Sequence, residues 1–460
     1  MVKPNIWGSH QNSALFIYKK IKVTKNNIGD KMKNSFLWLN TVILNDFPSL
    51  DKDIEVDTLV IGAGVSGILC AYELQKRGIN VVVVEKDKLG SGTSKDTTAF
   101  ITAQHETLYQ DLIKNKGIDK AREYLQINLK ALDMYKDFSK IYDIDYKECD
   151  SYLYSSQSKE IILKEKEALS SLGYNAKMID ELPFNMDIKL GIGFEKQATI
   201  NPLKLIKEVS KELKIYQETM IYKLKGNCAY TKKGYRIKFK NVVIATHYPM
   251  INLSGFYFTR LTQRRSYVIA IEGDDVKNTY CSIDDGGLYF RSYDKYLLIG
   301  GNDRDSKVKY SIDFYRQIKD FIKDKNIAYN WSGQDCISID GVPYIGRYNR
   351  LHKNYYVITG FNLWGFTWAM ASSFIIADLI QNKKEYPLVS PRRKCFNKQL
   401  GINVLTSFKN LLKLKTPRCK HLGCALNYNE NEQVYECPCH GSRYTKDGKL
   451  LDGPSLKNLK

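Results

Sequence analysis

The sequence has no uninterrupted apolar run long enough to cross a bilayer. Its longest apolar stretches, 56–74 and 364–380, are broken by glycines or polar residues. The first residues also lack the basic start, apolar core and small-residue cleavage site of a secretory signal. The sequence therefore predicts a soluble, cytoplasmic protein without stable membrane insertion.

Acidic residues are scarce. Asp and Glu together number 50 against 70 Lys and Arg, which gives a formal net charge of +20. Most of this charge is lysine spread along every segment, without the clustered arginines and interleaved aromatics of a nucleic-acid groove. The charge favours a solvated surface, with a functional basic face as the alternative, and it predicts no nucleic-acid partner.

One βαβ unit is evident at 56–87, where VDTLVIGAGVSGILCAYELQKRGINVVVVEKD combines a buried strand, a glycine-rich turn, an amphipathic helix and a second strand. Gly62, Gly64 and Gly67 form G-x-G-x-x-G between strand and helix. The first glycine makes a tight turn, the second admits a pyrophosphate, and the third lets helix and strand pack closely. Glu85 ends the second strand, where an acid binds a ribose hydroxyl and disfavours a 2′-phosphate. This fingerprint fits both FAD and NAD.

Four further stretches favour FAD by resemblance. GSGTSKDTTAFITAQHE, VVIATHYP, DGVPYIGR and ITGFNLWGFTWA resemble the D-amino-acid oxidase family of FAD-dependent oxidoreductases, which includes glycine and sarcosine oxidases, over roughly residues 50–385. The resemblance implies two groups of flavin-proximal residues, one along the flavin and one closing over its ring: Thr93, Ser94, Thr97 and Thr98, and Gly360, Asn362, Gly365 and Thr367. A helix start at the second group would stabilise negative charge on the reduced flavin. His105 is interpreted as a packing residue, with flavin contact as the alternative.

Arg291 is the candidate substrate anchor. It lies in GLYFRSYDKYLLIGG at 287–301, where family members acting on amino acids often place a carboxylate-binding arginine, and its planar fork suits that role. A surface or interdomain salt bridge is the alternative. Arg265 and Tyr267 are weaker candidates.

Histidine is scarce as well: the chain has six, and two of them stand among four of its ten cysteines near the C-terminal end. The other six cysteines are scattered singly, as expected of reduced, buried thiols. CKHLGC at 419–424 and CPCHGS at 437–442 resemble both halves of the Rieske motif. The resemblance implies that Cys419 and Cys437 bind one iron of a [2Fe-2S] cluster and that His421 and His440 bind the other. A tetrahedral zinc site is the alternative.

The Rieske resemblance also implies roles for neighbouring residues. Cys424 and Cys439 correspond to a pair that forms a disulfide in the cytochrome bc-type branch, with reduced thiols as the alternative in a reducing compartment. Ser442 and Tyr444 match positions that donate hydrogen bonds to sulfur, which implies a potential in the upper part of the range of about −150 to +300 mV.

The resemblances together predict the fold class: α/β, with an FAD-binding Rossmann-like domain, an inserted antiparallel β-sheet and helical substrate domain, and a small β-rich Rieske domain. The predicted division is a disordered extension at 1–34, an oxidoreductase at 35–385 (FAD part about 50–105, 195–250 and 335–385; substrate part about 106–194 and 251–334), a basic linker with a helix at 386–415, and a minimal Rieske domain at 416–460. The linker helix is expected to pack on the protein, with a membrane-surface helix as the alternative.

Flavin and a one-electron cluster on one chain suit each other, because flavin takes up two electrons as hydride and can release them singly. The sequence predicts an FAD-dependent oxidoreductase, a dehydrogenase more than an oxidase, acting on the C–N bond of an amine or amino acid. The expected partners are a small-molecule substrate and a one-electron donor or acceptor protein. A reductase fed by the cluster and a non-catalytic redox sensor or electron relay are the alternatives.

Overall fold

The structure is a computed structural model, which describes residues 35–251, 254–273, 275–305, 314–322, 325–395, 398–413, 416–429 and 433–459. The predicted disordered extension at 1–34 lies outside these residues. The described strands are β1 (Ile54–Ile61), β2 (Val81–Val84), β3 (Phe100–Ile101), β4 (Lys147–Ser155), β5 (Lys177–Ile179), β6 (Leu190–Thr199), β7 (Ile215–Tyr216), β8 (Ile221–Lys225), β9 (Cys228–Thr231), β10 (Arg236–Ile244), β11 (Leu261–Glu272), β12 (Thr279–Ser282), β13 (Tyr289–Tyr293), β14 (Tyr296–Asp305), β15 (Ile327–Ser338), β16 (Tyr344–Arg347), β17 (Tyr355–Thr359), β18 (Asn427–Asn429), β19 (Val434–Glu436), β20 (Arg443–Thr445) and β21 (Leu450–Asp452). The described α-helices are α1 (Val65–Lys76), α2 (Leu108–Lys116), α3 (Ile118–Ile141), α4 (Lys159–Ser171), α5 (Pro202–Ser210), α6 (Tyr257–Arg260), α7 (Phe314–Gln317), α8 (Lys319–Ile322), α9 (Gly365–Ile380) and α10 (Lys398–Leu412).

The first sheet holds the glycine-rich turn. Its main path is β16-β17-β10-β1-β2-β7, and β1 pairs in parallel with both β10 and β2. The four valines of β2 are all buried, as expected of a parallel strand covered on both faces. Helix α1 packs against α9, which is buried along most of its length. The predicted strand, turn, helix and strand are all present.

The second sheet is mostly antiparallel, in the order β15-β11-β14-β13-β12-β4-β6-β3, with β5 beside β6. The three strands at one end of this sheet, β15, β11 and β14, are long and pair antiparallel. Helices α2 and α3 occupy much of the stretch that the sequence pattern predicts to be helical, 106–140. The predicted fold class is confirmed, and the predicted domain boundaries stay a prediction.

The third sheet is an antiparallel meander, β18-β19-β20-β21. Its buried core is small and is formed by the four clustered cysteines with Leu426 and Tyr444. So small a core supplies little stability by itself, so this unit depends on its contacts with the rest of the chain. No α-helix within the described ranges combines the length and apolarity needed to span a bilayer.

Candidate active site and metal centre

A cavity of about 2270 Å³ is lined by both large sheets and by the C-terminal unit. Most of the residues predicted to be flavin-proximal or dinucleotide-binding are in its lining: Gly62, Gly64, Glu85, Thr93, Ser94, Thr97, Thr98, Gly360 and Gly365. The C-terminal unit contributes Gly453 and Pro454. Residues that are nearly 400 positions apart in the sequence therefore line one elongated site.

The glycine turn is held by two side chains from the segment that follows β2, Glu85 and Ser94. The Ser94 hydroxyl accepts a hydrogen bond from the Val65 amide at 3.0 Å, at the start of α1. The Glu85 carboxylate accepts one from the Ala63 amide at 2.9 Å, and burial raises the pKa of Glu85. Gly62 has a φ of +108°, which favours glycine. Gly64, Val65 and Ser66 line the cavity at the start of α1, where a helix N-terminus favours a phosphate.

Three residues predicted to lie near the cofactor, Gly67, Asn362 and Thr367, do not line the cavity. They stabilise the surrounding structure. A Cβ at Gly67 would overlap the carbonyl oxygen of Gly62, so only glycine lets α1 pack this closely on the turn. Asn362 accepts a hydrogen bond from the Ser338 amide at 2.7 Å. Thr367 donates one to the Thr102 carbonyl at 2.8 Å and so ties α9 to β3.

Arg291 lies outside the cavity lining and is only 2% exposed. Its guanidinium donates hydrogen bonds to the backbone carbonyls of Thr98, Ala99 and Ile200. Burial lowers the pKa of Arg291 to about 10. These hydrogen bonds fix the backbone next to Thr98, a residue of the cavity lining. The geometry favours this structural role for Arg291 over direct contact with a substrate.

His105 is also buried away from the cavity. Its ring stacks on Trp364 with centroids 5.0 Å apart. Its two nitrogens lie 2.7 Å from the Tyr124 hydroxyl and 2.8 Å from the Thr102 carbonyl. Every polar atom of this ring therefore has a protein contact, as in a packed core histidine.

The cavity lining includes a group of carboxylates that no motif predicted. Glu106, Asp303 and Asp335 line this cavity together with two arginines. The Arg264 guanidinium lies 3.7 Å from Glu106, and Arg304 pairs with Glu436. Burial raises the pKa of all three carboxyls, and for Asp335 burial together with Asp303 and Asp96 raises it to about 7. The Oδ1 atom of Asp303 is buried and accepts no hydrogen bond from the described residues. The wall thus has an excess of negative charge.

Four cysteine sulfurs converge in the C-terminal unit. The Sγ atoms of Cys424, Cys437 and Cys439 lie within 4.8 Å of one another, and Cys419 is buried in the same cluster. The Tyr444 hydroxyl lies 3.5 Å from the Cys419 sulfur. All four are thiols in this structure, and the Cys424–Cys439 disulfide stays a prediction.

Two histidines complete the metal-binding group and face the flavin cavity. The rings of His421 and His440 lie 5.0 Å apart, and burial, with the neighbouring His440, lowers the pKa of His421 to about 3. The neutral ring is the form that binds metals. The Nε2 atom of His440 lies 2.9 Å from the Phe258 carbonyl. Since a carbonyl only accepts, Nε2 holds the proton, and the buried Nδ1 is the ring nitrogen that can bind a metal. Both rings contact the ring of Tyr248, with centroids 5.6 Å apart for His421 and 5.8 Å apart for His440. Tyr248 lines the cavity.

Polar contacts fix the C-terminal unit on the larger part of the chain. They are the hydrogen bond from the Gln334 amide to the Gly441 carbonyl at 3.0 Å, the ion pair of Arg304 with Glu436 at 3.2 Å, and that of Arg265 with Asp452 at 3.4 Å. The Arg304 and Glu436 side chains are 7% and 12% exposed. A Cβ at Gly441 would lie 2.8 Å from Gln263 and overlap Gln334. The loop that carries His440 therefore lies directly against β11 and β15 of the second sheet.

These groups fit two redox cofactors. The glycine turn, the acid Glu85 after β2 and the long cavity suit FAD, and the sulfur and imidazole set suits a [2Fe-2S] cluster. The fold and the site define a two-cofactor oxidoreductase.

Comparison with known proteins agrees. The model of the family "DAO: FAD dependent oxidoreductase" matches residues 57–379, and that of the "Rieske [2Fe-2S] domain" matches residues 392–460. The chain belongs to the FAD-dependent oxidoreductase family and has a C-terminal Rieske domain. Its cofactors are FAD and a [2Fe-2S] cluster.

One curated relative matches nearly the whole chain, and another matches a smaller share of it. The chain is 30% identical to a putative Rieske 2Fe-2S iron-sulfur protein, YhfW, of Bacillus subtilis, over 92% of this chain and 96% of that one. It is 23% identical to gamma-glutamylputrescine oxidoreductase of Escherichia coli, over 74% of this chain and 87% of that one.

Solved structures share the fold of the larger part. Glycine oxidase from Geobacillus kaustophilus has a TM-score of 0.62 at 16% identity and covers 74% of this chain and 100% of its own. L-proline dehydrogenase from P. horikoshii has a TM-score of 0.60 at 21% identity, over 75% of this chain and 98% of its own.

Proposed function

We propose that the protein is a dehydrogenase of an amine C–N bond that exchanges electrons between its flavin and its own Rieske cluster. One observation carries this proposal: both cluster histidines contact Tyr248, a residue of the cavity wall. Bound FAD supplies hydride acceptance, and the cluster supplies one-electron transfer. A docked cluster gives the electrons an exit that does not need oxygen, which supports a dehydrogenase over an oxidase.

The His440 side of the cluster loop is closed to outside partners in this arrangement, whereas His421 is partly exposed. His440 is 1% exposed, and its outer nitrogen is bound to the carbonyl of Phe258. An external donor or acceptor protein would therefore reach the cluster from another direction. This supports electron exchange with the flavin within one chain.

The charge of the cavity supports an amine substrate over an amino acid. Glu106, Asp303 and Asp335 attract a cation. A substrate carboxylate would meet two arginines that are already paired, Arg264 with Glu106 and Arg304 with Glu436. The relative in Escherichia coli is named for an amine substrate, gamma-glutamylputrescine. We therefore place a cationic amine, one without a free α-carboxylate, first among the candidate substrates.

Hydride transfer from an amine needs the neutral amine. Asp335 has a pKa raised to about 7 by burial and by its acidic neighbours, so its carboxylate is suited to take the proton from a bound ammonium group. Asp303 and Glu106 would hold a second positive charge on the same molecule. No metal-bound or covalent step is required of the chain's own residues.

A panel titration without oxygen tests the proposal. Monoamines, diamines and α-amino acids are added in turn, and loss of the visible flavin absorbance is followed. We expect an amine to reduce the flavin and oxygen uptake to be slow when air is admitted. Reduction by amino acids alone would contradict the substrate class, and rapid stoichiometric peroxide formation would contradict the dehydrogenase assignment.

A further inference from the structure

Helix α10 (Lys398–Leu412) has its apolar side facing outward. Asn403 and Asn410 are 3% and 4% exposed, and Asn403 donates a hydrogen bond to the Thr259 carbonyl at 2.9 Å. Leu405, Phe408 and Leu412 are 70%, 62% and 64% exposed. Their spacing of three and four residues puts them in one row along the helix. The helix is thus anchored by polar side chains and presents an apolar stripe to the surroundings.

Basic residues border this stripe, and acids are absent from the sequence around it. Residues 386–429 contain nine Lys and Arg and no Asp or Glu. Lys398, Lys409 and Lys413 are exposed. The spacing of 11 residues puts Lys398 and Lys409 in a second row beside the apolar one, and Lys413 follows the last turn of the helix. An apolar row edged by lysines is typical of helices that lie in the plane of an anionic membrane surface.

The charge argues against two other occupants. A second copy of the chain would bring the same basic segment against this one, and the two would repel each other. Residues 1–34 contain seven lysines and one aspartate, so they are not complementary to the helix either. We propose that α10 binds the protein peripherally to an anionic lipid bilayer, with Leu405, Phe408 and Leu412 inserted at the interface and the lysines at the headgroups.

The helix also connects this surface with both cofactor sites. Gln399, Ile402 and Thr406 line the flavin cavity. The Ala425 amide of the cluster unit donates a hydrogen bond to the Asn410 carbonyl at 2.9 Å. Binding through α10 would therefore bring a rim of the cavity and the cluster unit close to the lipid. The proposal does not depend on the identity of the substrate.

Vesicle flotation with the full-length holoprotein tests this inference. Vesicles of phosphatidylcholine alone are compared with vesicles of phosphatidylcholine and phosphatidylglycerol in equal parts. The wild-type protein should float with the anionic vesicles, and added salt should release much of it. The triple variant Leu405→Ser, Phe408→Ser, Leu412→Ser should bind at least about tenfold more weakly.

Leu351→Ser is the matched control, because Leu351 is 82% exposed and lies away from α10 in the sequence. It should bind as the wild type does, and flavin content should be equal in all three proteins because the altered side chains are exposed. Wild-type protein that stays unbound with both vesicles would overturn the proposal, as would a triple variant that binds normally. A wild-type dimer that the triple variant converts to monomer, without vesicle binding, would instead assign this face to self-association.

Discussion

Glu436→Gln should selectively destabilise the C-terminal cluster unit. Glu436 is 12% exposed and pairs with Arg304 at 3.2 Å and with Arg443 at 3.4 Å, and each arginine is only 7% exposed. Loss of one partner from a buried ion pair costs about 3–5 kcal/mol, because the remaining charge is left desolvated. Arg443 keeps a contact with Asp452 at 3.1 Å, so we expect the low end, about 3 kcal/mol. That is more than a hundredfold in the equilibrium between folded and unfolded cluster unit.

Glu55→Gln is the matched control for the same chemical change. Glu55 pairs with Lys238 at 3.1 Å, but the two side chains are 63% and 59% exposed. An exposed pair contributes only about 0–1 kcal/mol. The comparison therefore isolates the effect of burial at the domain contact.

Urea unfolding with two signals measures the difference. The visible circular dichroism of the cluster reports on the C-terminal unit, and flavin fluorescence reports on the larger part. With a slope of about 1 kcal/mol per M urea for so small a unit, the cluster midpoint should fall by about 3 M in Glu436→Gln. Equal, small shifts in Glu436→Gln and Glu55→Gln would refute the idea that a buried ion pair holds the cluster unit in place.

Three further predictions follow from particular contacts. Arg291→Met should lower the melting temperature, because the Thr98 carbonyl and its neighbours lose their hydrogen-bond donor. The affinity for ligands should be unchanged. A selective loss of affinity for carboxylate ligands would instead support Arg291 as the substrate anchor. Since the pKa of Asp335 is about 7, binding of a quaternary ammonium probe should strengthen as pH rises through 7 and the carboxyl ionises. Asp335→Asn should remove that pH dependence. If probe binding in this variant still strengthened near pH 7, Asp335 would not be the group responsible. Gly67→Ala should cost flavin retention because its methyl group would overlap the Gly62 carbonyl, whereas Gly78→Ala, with open space around it, should retain flavin.

Local motifs were predictable from the sequence, because their residues are neighbours along the chain. The glycine turn with Glu85 and the paired Cys and His loops each depend on spacing within one or two short segments. Arg291 was harder to interpret, since its partners are backbone carbonyls from distant segments, and a pattern of side chains does not reveal them.

The charged wall and the contact between the two cofactor sites were not predicted. Glu106, Asp303 and Asp335 come together only because the second sheet and its helices bring distant segments to one cavity. Tyr248 belongs to the VVIATHYP stretch that helped to indicate FAD, but its contact with both cluster histidines depends on how the third sheet docks. The sequence also predicted a helix within 386–415, without indicating that it begins at Lys398 and that its polar side faces inward.

The central claim is that electrons pass between flavin and cluster within one chain. The most direct test is flash photoreduction of the flavin in the holoprotein without oxygen, followed by the cluster absorbance and by low-temperature EPR, after quantification of iron, zinc and flavin. The account predicts about two irons and one FAD per chain, and a reduced-cluster EPR signal with an average g value below 2. The cluster should be reduced at a rate that does not change with protein concentration. Zinc in place of iron, or a rate that rises in proportion to protein concentration, would contradict it.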